Sequence, residues 1–548
     1  MKIVNYLKEH YFLISILAVG AFLRFSHLNS QSPWMDEIYT LNVADPELPF
    51  SKTISEINLR EGFPYLYFLV MKALFGIFGH HILVARIISA LAGIAGSYLM
   101  YRIGKSLYDK NTGLIAAVLV AVSDYCIYIS QDARPYSIYF FAVVLSFLIL
   151  TTFLRNPSRK NAILYGLSAG LLLNLNFFGF INLLSQGLLI LFFVILCPKE
   201  LRRNLIVGSV IAGGIAVVLF LPNISKLMTL VGFKSGWIAA PTNDSIAYIL
   251  DEFLGNTRFT AFVFLPLFFY FLFDLFKQES KFTYRELVDR PKIFAFTVLM
   301  SWIVVLVVII TFKSFTDTSM MVTRYFVSVL PVIFLMLAHA LSLIKSQIVR
   351  AGMISMVLCF MLMNLFVFKR FYLNVHNSEF KQASEFVLKN NPKKEPVYTS
   401  LKYWFNYFFL KTDKQYPLNE VASLDALIDE MRNDPKKIKA FWYVDGHDRV
   451  FKPSEQTLAF LAANFFLENN FDGFQGWSRH YILKADAKQQ VSLNGFDVSK
   501  PASGDTFDFT FDSYDDTEST VIVQGWAHFP GQGAENLQIE IVAISGSS

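Results

Sequence analysis

Long apolar runs fill the chain between residues 11 and 368, whereas the remaining residues mix apolar and polar positions like a soluble sequence. A helix that crosses the roughly 30 Å hydrocarbon layer of a membrane needs about 20 apolar residues. The segment from Pro64 to Phe78 is shorter and begins with a proline, so we predict an interfacial or re-entrant helix there. Longer segments predict transmembrane helices at 9–28, 82–103, 112–130, 135–154, 161–177, 180–197, 205–222, 259–276, 293–312, 325–344 and 350–368.

The pattern changes twice after the last apolar run. Short apolar stretches such as Glu395–Thr399 and Lys439–Val444 alternate with helical patterns such as Ser423–Met431, which predicts a small α/β domain. From about Val491 onward, alternating phenylalanines and two further strand patterns predict a small β-sandwich. The sequence stops directly after a predicted strand, which leaves open whether this sandwich is complete. We therefore predict a polytopic α-helical membrane protein with membrane helices at 1–368, an extracytoplasmic α/β domain at 369–488 and a β-sandwich at 489–548.

Composition supports a membrane protein and excludes some other classes. Hydrophobic residues make up 54% of the 548 residues and charged residues only 17%, where soluble proteins carry about 25%. The net charge of +5 comes without a clustered basic face, so nucleic acid is not a predicted partner. The three cysteines all fall in predicted membrane segments, which argues against a disulfide framework. No small-residue cleavage site follows the first apolar segment, so we predict an uncleaved first helix.

Lys and Arg residues indicate how the helices are oriented. They concentrate in the short loops at one set of helix ends, which the positive-inside rule places in the cytoplasm. The opposite loops, at 29–63, 223–258 and 313–324, hold about half as many basic residues and are predicted to face outward. Eleven crossings would place the C-terminal region outside as well.

Ionisable side chains near the membrane cost several kcal/mol unless they are paired or line a cavity, so each one is a candidate functional residue. Four clusters fall in the outward loops. Asp36 and Asp132 are the candidate catalytic residues among them. The candidate substrate contacts are Glu37, Tyr39, Glu61, Tyr65, Tyr67, Arg134, Tyr136, Lys313, Arg324 and Tyr325.

Three of the four clusters also have a purely structural interpretation. Asp36 and its neighbour Glu37 can have separate roles in proton transfer and in hydrogen bonding or metal binding, or they can form a solvated helix cap. Arg134 suits a phosphate group, or it can simply neutralise Asp132. Glu61 can merely complement a helix dipole, and the tyrosines of its cluster can form an aromatic belt.

The ordered motifs of the four clusters resemble a known family. Asp36-Glu37 after the first helix, Gly-Phe-Pro-Tyr-Leu-Tyr at 62–67, Ser-Gln-Asp-Ala-Arg-Pro-Tyr at 130–136 and Arg-Tyr-Phe-Val-Ser-Val-Leu-Pro at 324–331 are similar to motifs of one bacterial group. This group comprises protein O-mannosyltransferases and aminoarabinose transferases of the GT-C glycosyltransferase superfamily. The resemblance covers roughly residues 1–345. It implies membrane helices with amphipathic helices in the first outer loop, and a sugar donor linked to polyprenyl phosphate.

The resemblance also implies roles for individual residues. It implies that Asp36 is the catalytic base and that Asp132 is important for activity. Where many relatives have His-Pro-Pro, this chain has Glu61-Gly62-Phe63-Pro64, so a metal or substrate contact by that histidine would need Glu61 as a substitute. No cofactor is firmly predicted; a divalent metal stays open, with Glu37 or Glu61 as its candidate ligand.

Simple chemistry agrees with these roles. A phosphate that leaves an anomeric carbon mainly needs cations to hold its charge, and Arg134 and Arg324 are the candidates. Asp36 would accept the proton of the acceptor hydroxyl, and one direct displacement would invert the anomeric centre. Gly104-Lys105-Ser106 ends like a phosphate loop, but position 99 is Leu and no strand precedes it, so a nucleotide-sugar donor is not predicted.

The predicted function is therefore transfer of a sugar from a polyprenyl-phosphate donor to a hydroxyl on an acceptor protein, lipid or polysaccharide, outside the membrane. A transporter or flippase for lipid-linked sugars is one alternative, although it would favour polar residues at mid-membrane and two matched halves. A ligase or polymerase that uses a diphosphate-linked oligosaccharide is another. Membrane lipid is a predicted partner in every case.

Overall fold

A computed structural model shows how these segments fold. It describes residues 2–230, 238–255, 258–276, 288, 291–413, 416–447, 449, 451–484, 508–517 and 520–528. The chain divides into two compact units, Met1–Glu379 and Phe380–Ser548.

In its described residues, the first unit consists of helices joined by loops. Its helices are α1 (Lys2–Phe25), α2 (Met35–Val43), α3 (Phe50–Arg60), α4 (Tyr65–Phe78), α5 (Ile82–Leu107), α6 (Lys110–Val122), α7 (Asp124–Gln131), α8 (Tyr136–Arg155), α9 (Arg159–Leu175), α10 (Gly179–Leu196), α11 (Lys199–Phe220), α12 (Ile224–Leu230), α13 (Ser245–Leu254), α14 (Arg258–Phe276), α15 (Pro291–Thr316), α16 (Leu330–Ser342) and α17 (Gln347–Met363). Short 3₁₀ turns at Thr323–Tyr325 and Val327–Val329 precede α16, and a π-helical turn at Asn364–Phe368 follows α17.

Each of the eleven segments predicted to cross the membrane is helical, so the predicted polytopic helical fold is confirmed. Within the described residues, six helices are long and apolar enough to span: α5, α8, α10, α11 extended through α12, α15, and α17 with its π-turn. A seventh span results if α6 and α7, which are bent by 59°, count as one. The total of eleven crossings stays a prediction. Helix α4 has 14 residues, or about 21 Å at 1.5 Å per residue, which is short for a span.

A buried arginine organises the break between α6 and α7. Arg24 on α1 donates to the carbonyl oxygens of Val120 and Ala121, both at 2.9 Å, and to Ser130 Oγ at 3.1 Å. The two carbonyls belong to the last turn of α6, where a helix leaves such groups without an intrahelical partner. The close approach of Arg24 and Ser130 to α5 requires a glycine there, because a Cβ at Gly93 would lie 2.1 Å from Ser130 Oγ and 2.7 Å from Arg24 Nε. Arg24 therefore connects the end of α6 with the last turn of α7.

The second unit contains an α/β domain. Its helices are α18 (Phe380–Asn390), α19 (Lys402–Thr412), α20 (Leu424–Asn433) and α21 (Glu455–Asn464), and its strands are β1 (Val397–Thr399), β2 (Leu418–Glu420), β3 (Phe441–Gly446), β4 (Phe465–Gly473) and β5 (Gly476–Leu483). The sheet has the order β2-β1-β3-β5-β4. Strand β1 runs parallel to β2 and β3, and β5 runs antiparallel to β3 and β4. Apolar side chains of α20 and α21 pack against β3 and β5 to form the core.

An antiparallel hairpin follows in the sequence, with β6 at Asp508–Thr517 and β7 at Thr520–His528. The predicted strand near residues 537–542 lies outside the described residues. The β-sandwich and the two domain boundaries at 368 and 488 therefore stay predictions.

Candidate active site

Asp36 and Arg324 form an ion pair although 288 residues separate them in the sequence. Asp36 lies in the first turn of α2, and Arg324 lies in the 3₁₀ turn that precedes α16. Arg324 Nη1 is 2.9 Å from Asp36 Oδ2, and the side chains are 22% and 24% exposed. The hydroxyl of Thr323 donates to Glu252 of α13, which holds the 3₁₀ turn in place. A substrate could therefore reach both charged groups.

The neighbouring carboxylate, Glu37, is enclosed. Its oxygens accept from Arg86 Nε at 2.8 Å and from Arg86 Nη2 at 2.6 Å, and both side chains are buried. The backbone N–H of Ala133 also donates to Glu37, at 2.8 Å. The remaining donors of Arg86 bind carbonyl oxygens of the α1–α2 loop, those of Leu28, Gln31 and Ser32. Glu37 thus fastens α2 to α5 and to the turn after α7.

A second enclosed pair joins Arg134 to Glu61. Two parallel hydrogen bonds of 2.8 Å connect the guanidinium and the carboxylate, and both side chains are buried. Arg134 also donates to the backbone oxygen of Asp36 at 2.9 Å and lies 5.2 Å from the ring of Phe63. Burial raises the pKa of Glu61, and Arg134 opposes that shift. Arg134 is therefore paired with Glu61 and not with Asp132, its neighbour in sequence.

Asp132 faces the N-terminus of α2. Its Oδ1 accepts from the indole N–H of Trp34 at 3.1 Å, and its side chain is buried. Burial, together with the charge of the nearby Glu37, raises the pKa of Asp132. Asp132 therefore holds a proton more readily than an exposed aspartate does.

Three of the predicted tyrosines surround the Asp36–Arg324 pair. Tyr39 is half-buried one turn after Asp36 on α2, and the ring of Tyr136 packs edge-on against Phe63 at 5.7 Å. Tyr325 follows Arg324 and packs on Phe178, with ring centroids 4.6 Å apart. These aromatic side chains border the charged groups.

The other three predicted contacts are Tyr65, Tyr67 and Lys313. Tyr65 donates its hydroxyl to Asn58 at 2.7 Å. Tyr67 is buried, and within the described part of the chain its hydroxyl has no hydrogen-bond partner. Lys313 is exposed in the last turn of α15.

The two candidate metal ligands, Glu37 and Glu61, are each bound by a guanidinium. Among the described residues, no three His, Cys, Asp or Glu side chains are arranged to hold a metal ion.

Two residues of this site were missed from the sequence, Arg86 and Trp34. Arg86 interrupts an otherwise apolar predicted helix, and a charge in such a position is a sufficient signal for a buried ion pair. Trp34 directly precedes α2, and nothing in the sequence indicates its bond to Asp132.

Comparison with known proteins agrees with this architecture. Residues 63–225 match the family model of dolichyl-phosphate-mannose-protein mannosyltransferases. The fold is similar to that of ArnT from Cupriavidus metallidurans in the apo state, with a TM-score of 0.55 and 11% sequence identity over 86% of this chain and 98% of that chain. The same protein bound to undecaprenyl phosphate gives a TM-score of 0.51 and 12% identity with the same coverage. No curated protein sequence matches.

The family-model match over residues 63–225 and the similarity of the fold to ArnT both support the resemblance stated from the motifs, which is to the protein mannosyltransferase and ArnT type of the GT-C superfamily.

Proposed function

We propose that this protein transfers a sugar from a polyprenyl-phosphate donor to an acceptor hydroxyl at the extracytoplasmic face of a bacterial cytoplasmic membrane. The observation that carries the proposal is the accessible ion pair between Asp36 and Arg324. A base and a phosphate-binding cation are the two groups that this reaction requires. The undecaprenyl phosphate bound to ArnT supports a donor of the same chemical kind.

Arg324 is the proposed phosphate ligand. Its guanidinium stays charged at any physiological pH and suits the oxygens of a phosphate. The side chain of Arg324 is 22% exposed, so its guanidinium is accessible to a ligand. Arg134, which was the other candidate, is buried and has both terminal nitrogens engaged. We therefore propose that Arg134 positions Glu61 and the backbone of Asp36.

Asp36 is the proposed base. When the donor phosphate binds the guanidinium of Arg324, the carboxylate of Asp36 becomes available to the acceptor hydroxyl. The hydroxyl oxygen attacks the anomeric carbon, its proton passes to Asp36, and the bond from the anomeric carbon to the phosphate oxygen breaks. The bonding electrons leave with the polyprenyl phosphate. A single displacement of this kind inverts the configuration of the sugar.

Asp132 is the second proposed catalytic residue. Its raised pKa favours the protonated form, which can donate a hydrogen bond to a sugar or acceptor oxygen. The indole of Trp34 holds the other carboxyl oxygen. The distribution of Lys and Arg among the loops supports an extracytoplasmic position for these groups.

The test uses purified protein in detergent with a panel of polyprenyl-phosphate sugars, and it measures release of polyprenyl phosphate. We expect one donor to be turned over. Asp36→Asn should lower its turnover by about 10² to 10⁴, the usual effect of removing a positioned base. Asp45→Asn is the matched control, because Asp45 lies in the following loop and accepts from Glu47 N at 2.9 Å.

Two results would contradict the proposal. One is that no donor in the panel releases polyprenyl phosphate. The other is that Asp36→Asn and Asp132→Asn both keep near-native turnover while they elute as folded protein.

A further inference from the structure

The segment that follows α17 is clamped onto the loop that precedes α2. Gln31 in that loop forms two hydrogen bonds with the backbone of the segment: its Nε2 donates to the carbonyl oxygen of Asn374 at 3.0 Å, and its Oε1 accepts from the N–H of His376 at 3.1 Å. The amide of Asn377 donates in the opposite direction, to the carbonyl oxygen of Ser32 at 3.0 Å. These three hydrogen bonds join stretches of chain that are 343 to 345 residues apart.

The segment after α17 also has anchors of its own, so it can support the loop. The hydroxyl of Tyr372 donates to the carbonyl oxygen of Leu23, in the last turn of α1, at 2.5 Å. The ring of His376 stacks on the buried ring of Phe371, with centroids 4.9 Å apart. The backbone around His376 is therefore held by contacts other than those with the α1–α2 loop.

Arg86 on α5 holds the same loop from the protein interior. Its guanidinium donates to the carbonyl oxygens of Gln31 at 3.0 Å and of Ser32 at 3.3 Å, and its side chain is buried. The carbonyl oxygen of Ser32 thus accepts from both Arg86 and Asn377. Backbone groups of a loop lack the regular partners of a helix or sheet, so side-chain contacts of this kind determine where the loop lies.

The clamped residues lie directly before the proposed base. Trp34, two residues after Ser32, is the N-cap of α2, and its carbonyl oxygen accepts from the N–H of Ile38 at 3.0 Å. Asp36 lies in that first turn of α2. A shift of the loop would therefore move both the carboxylate of Asp36 and the indole that binds Asp132.

We infer that Gln31 and Asn377 are positioning residues, which hold the loop before α2 so that Asp36 meets the acceptor hydroxyl in the geometry that proton transfer needs. The inference rests on the proposed function. Both residues act through the backbone, since each of these hydrogen bonds connects a side-chain amide to a main-chain atom. The chain that leads towards the α/β domain is therefore part of the framework of the reaction site.

The first measurement is hydrogen–deuterium exchange of the full-length protein in detergent, followed by mass spectrometry of peptides that contain α2. Gln31→Met keeps the length of the side chain and removes both hydrogen bonds of its amide group. We expect the first turn of α2 to exchange about tenfold faster in this variant, the effect of two lost hydrogen bonds on local opening. Unchanged exchange in α2 would overturn the inference.

The second measurement is turnover of a polyprenyl-phosphate sugar by the Gln31→Met protein that elutes as a single folded species. Misplacement of the base should lower kcat about ten- to a hundredfold. KM for the donor should stay near the wild-type value, because Arg324 lies on a separate turn. A role in stability alone would lower the yield of folded protein and leave its kcat unchanged, and that result would also overturn the inference.

Asn161→Ala is the matched control. It removes another hydrogen bond from a side-chain amide to a carbonyl oxygen, that of Asn156 at 2.8 Å, and Asn161 lies at the start of α9. This variant should keep the wild-type exchange of α2 and the wild-type kcat. Asn377→Ala provides a second variant if Gln31→Met does not fold, and it should change both quantities in the same direction but by less, since it loses one hydrogen bond.

Exchange and turnover distinguish a failure of this inference from a failure of the proposed function. If the wild type turns over a donor but Gln31→Met keeps either its α2 exchange or its kcat, the positioning role is wrong and the proposed function stands. If the wild type turns over no donor, the proposed function fails, and the positioning role fails with it.

Discussion

Replacing Glu37 by Gln should destabilise the helical unit, because it leaves Arg86 as a buried guanidinium without a counter-charge. The side chains of Arg86 and Glu37 are 2% and 0% exposed. Two short hydrogen bonds, of 2.8 and 2.6 Å, connect them. Arg86 cannot turn towards water, because its remaining donors hold carbonyl groups of the α1–α2 loop.

The expected loss is about 3 to 5 kcal/mol, the usual cost of removing one partner from a buried ion pair. Such a loss is a large fraction of the roughly 5 to 15 kcal/mol that stabilises a typical folded protein. The single oxygen of a glutamine amide can still accept from Arg86 Nε and from Ala133 N–H, but its NH₂ group cannot accept from Arg86 Nη2 as Oε2 does. Adding Arg86→Met removes the unpaired charge, so the double variant should be more stable than Glu37→Gln alone.

The assay is the fraction of protein that elutes as a single species from size-exclusion chromatography after heating in detergent. Glu56→Gln is the matched control, since Glu56 forms an exposed pair with Arg60 at 2.7 Å. Exposed pairs contribute about 0 to 1 kcal/mol. Equal heat sensitivity of Glu37→Gln and Glu56→Gln would refute the reasoning, and so would a double variant less stable than either single one.

Two further predictions concern Asp132 and Gly93. Because the pKa of Asp132 is raised in the folded state, its stabilising contribution is present below the ordinary aspartate pKa of about 3.9 and is lost as pH rises through the higher folded-state value. The melting temperature should therefore fall with rising pH more steeply in the wild type than in Asp132→Asn. Parallel curves of melting temperature against pH would contradict this. Gly93→Ala should destabilise the protein by about 1 to 3 kcal/mol, because the added Cβ would collide with Ser130 and Arg24. Gly187→Ala is the control and should not destabilise it, since no atom lies within 4 Å of the added Cβ. Thermal unfolding of both variants checks this, and equal melting temperatures would contradict it.

The sequence predicts the helices well and the partners of the charged residues poorly. A run of about 20 apolar residues has few alternatives to a helix in a membrane, since every backbone group must be satisfied within the segment. Partner choice instead depends on tertiary geometry. Arg134 is two residues from Asp132, yet its side chain reaches Glu61, 73 residues away. Neighbouring residues in a tight turn point in different directions, and sequence distance does not report which of them face each other.

The three ion pairs of the site differ in how exposed their side chains are, and we infer two different roles from this difference. The Glu37–Arg86 and Glu61–Arg134 pairs are buried, and each joins segments that are far apart in sequence. They have no access for a substrate, so their contribution is to hold the backbone of α2 and of the turn after α7. The Asp36–Arg324 pair is the partly exposed one of the three. Because Arg134 also binds the backbone oxygen of Asp36, a rigid buried pair places the carboxylate of the open pair. Loss of either buried pair should therefore impair transfer through misplacement of Asp36, even where the chain still folds.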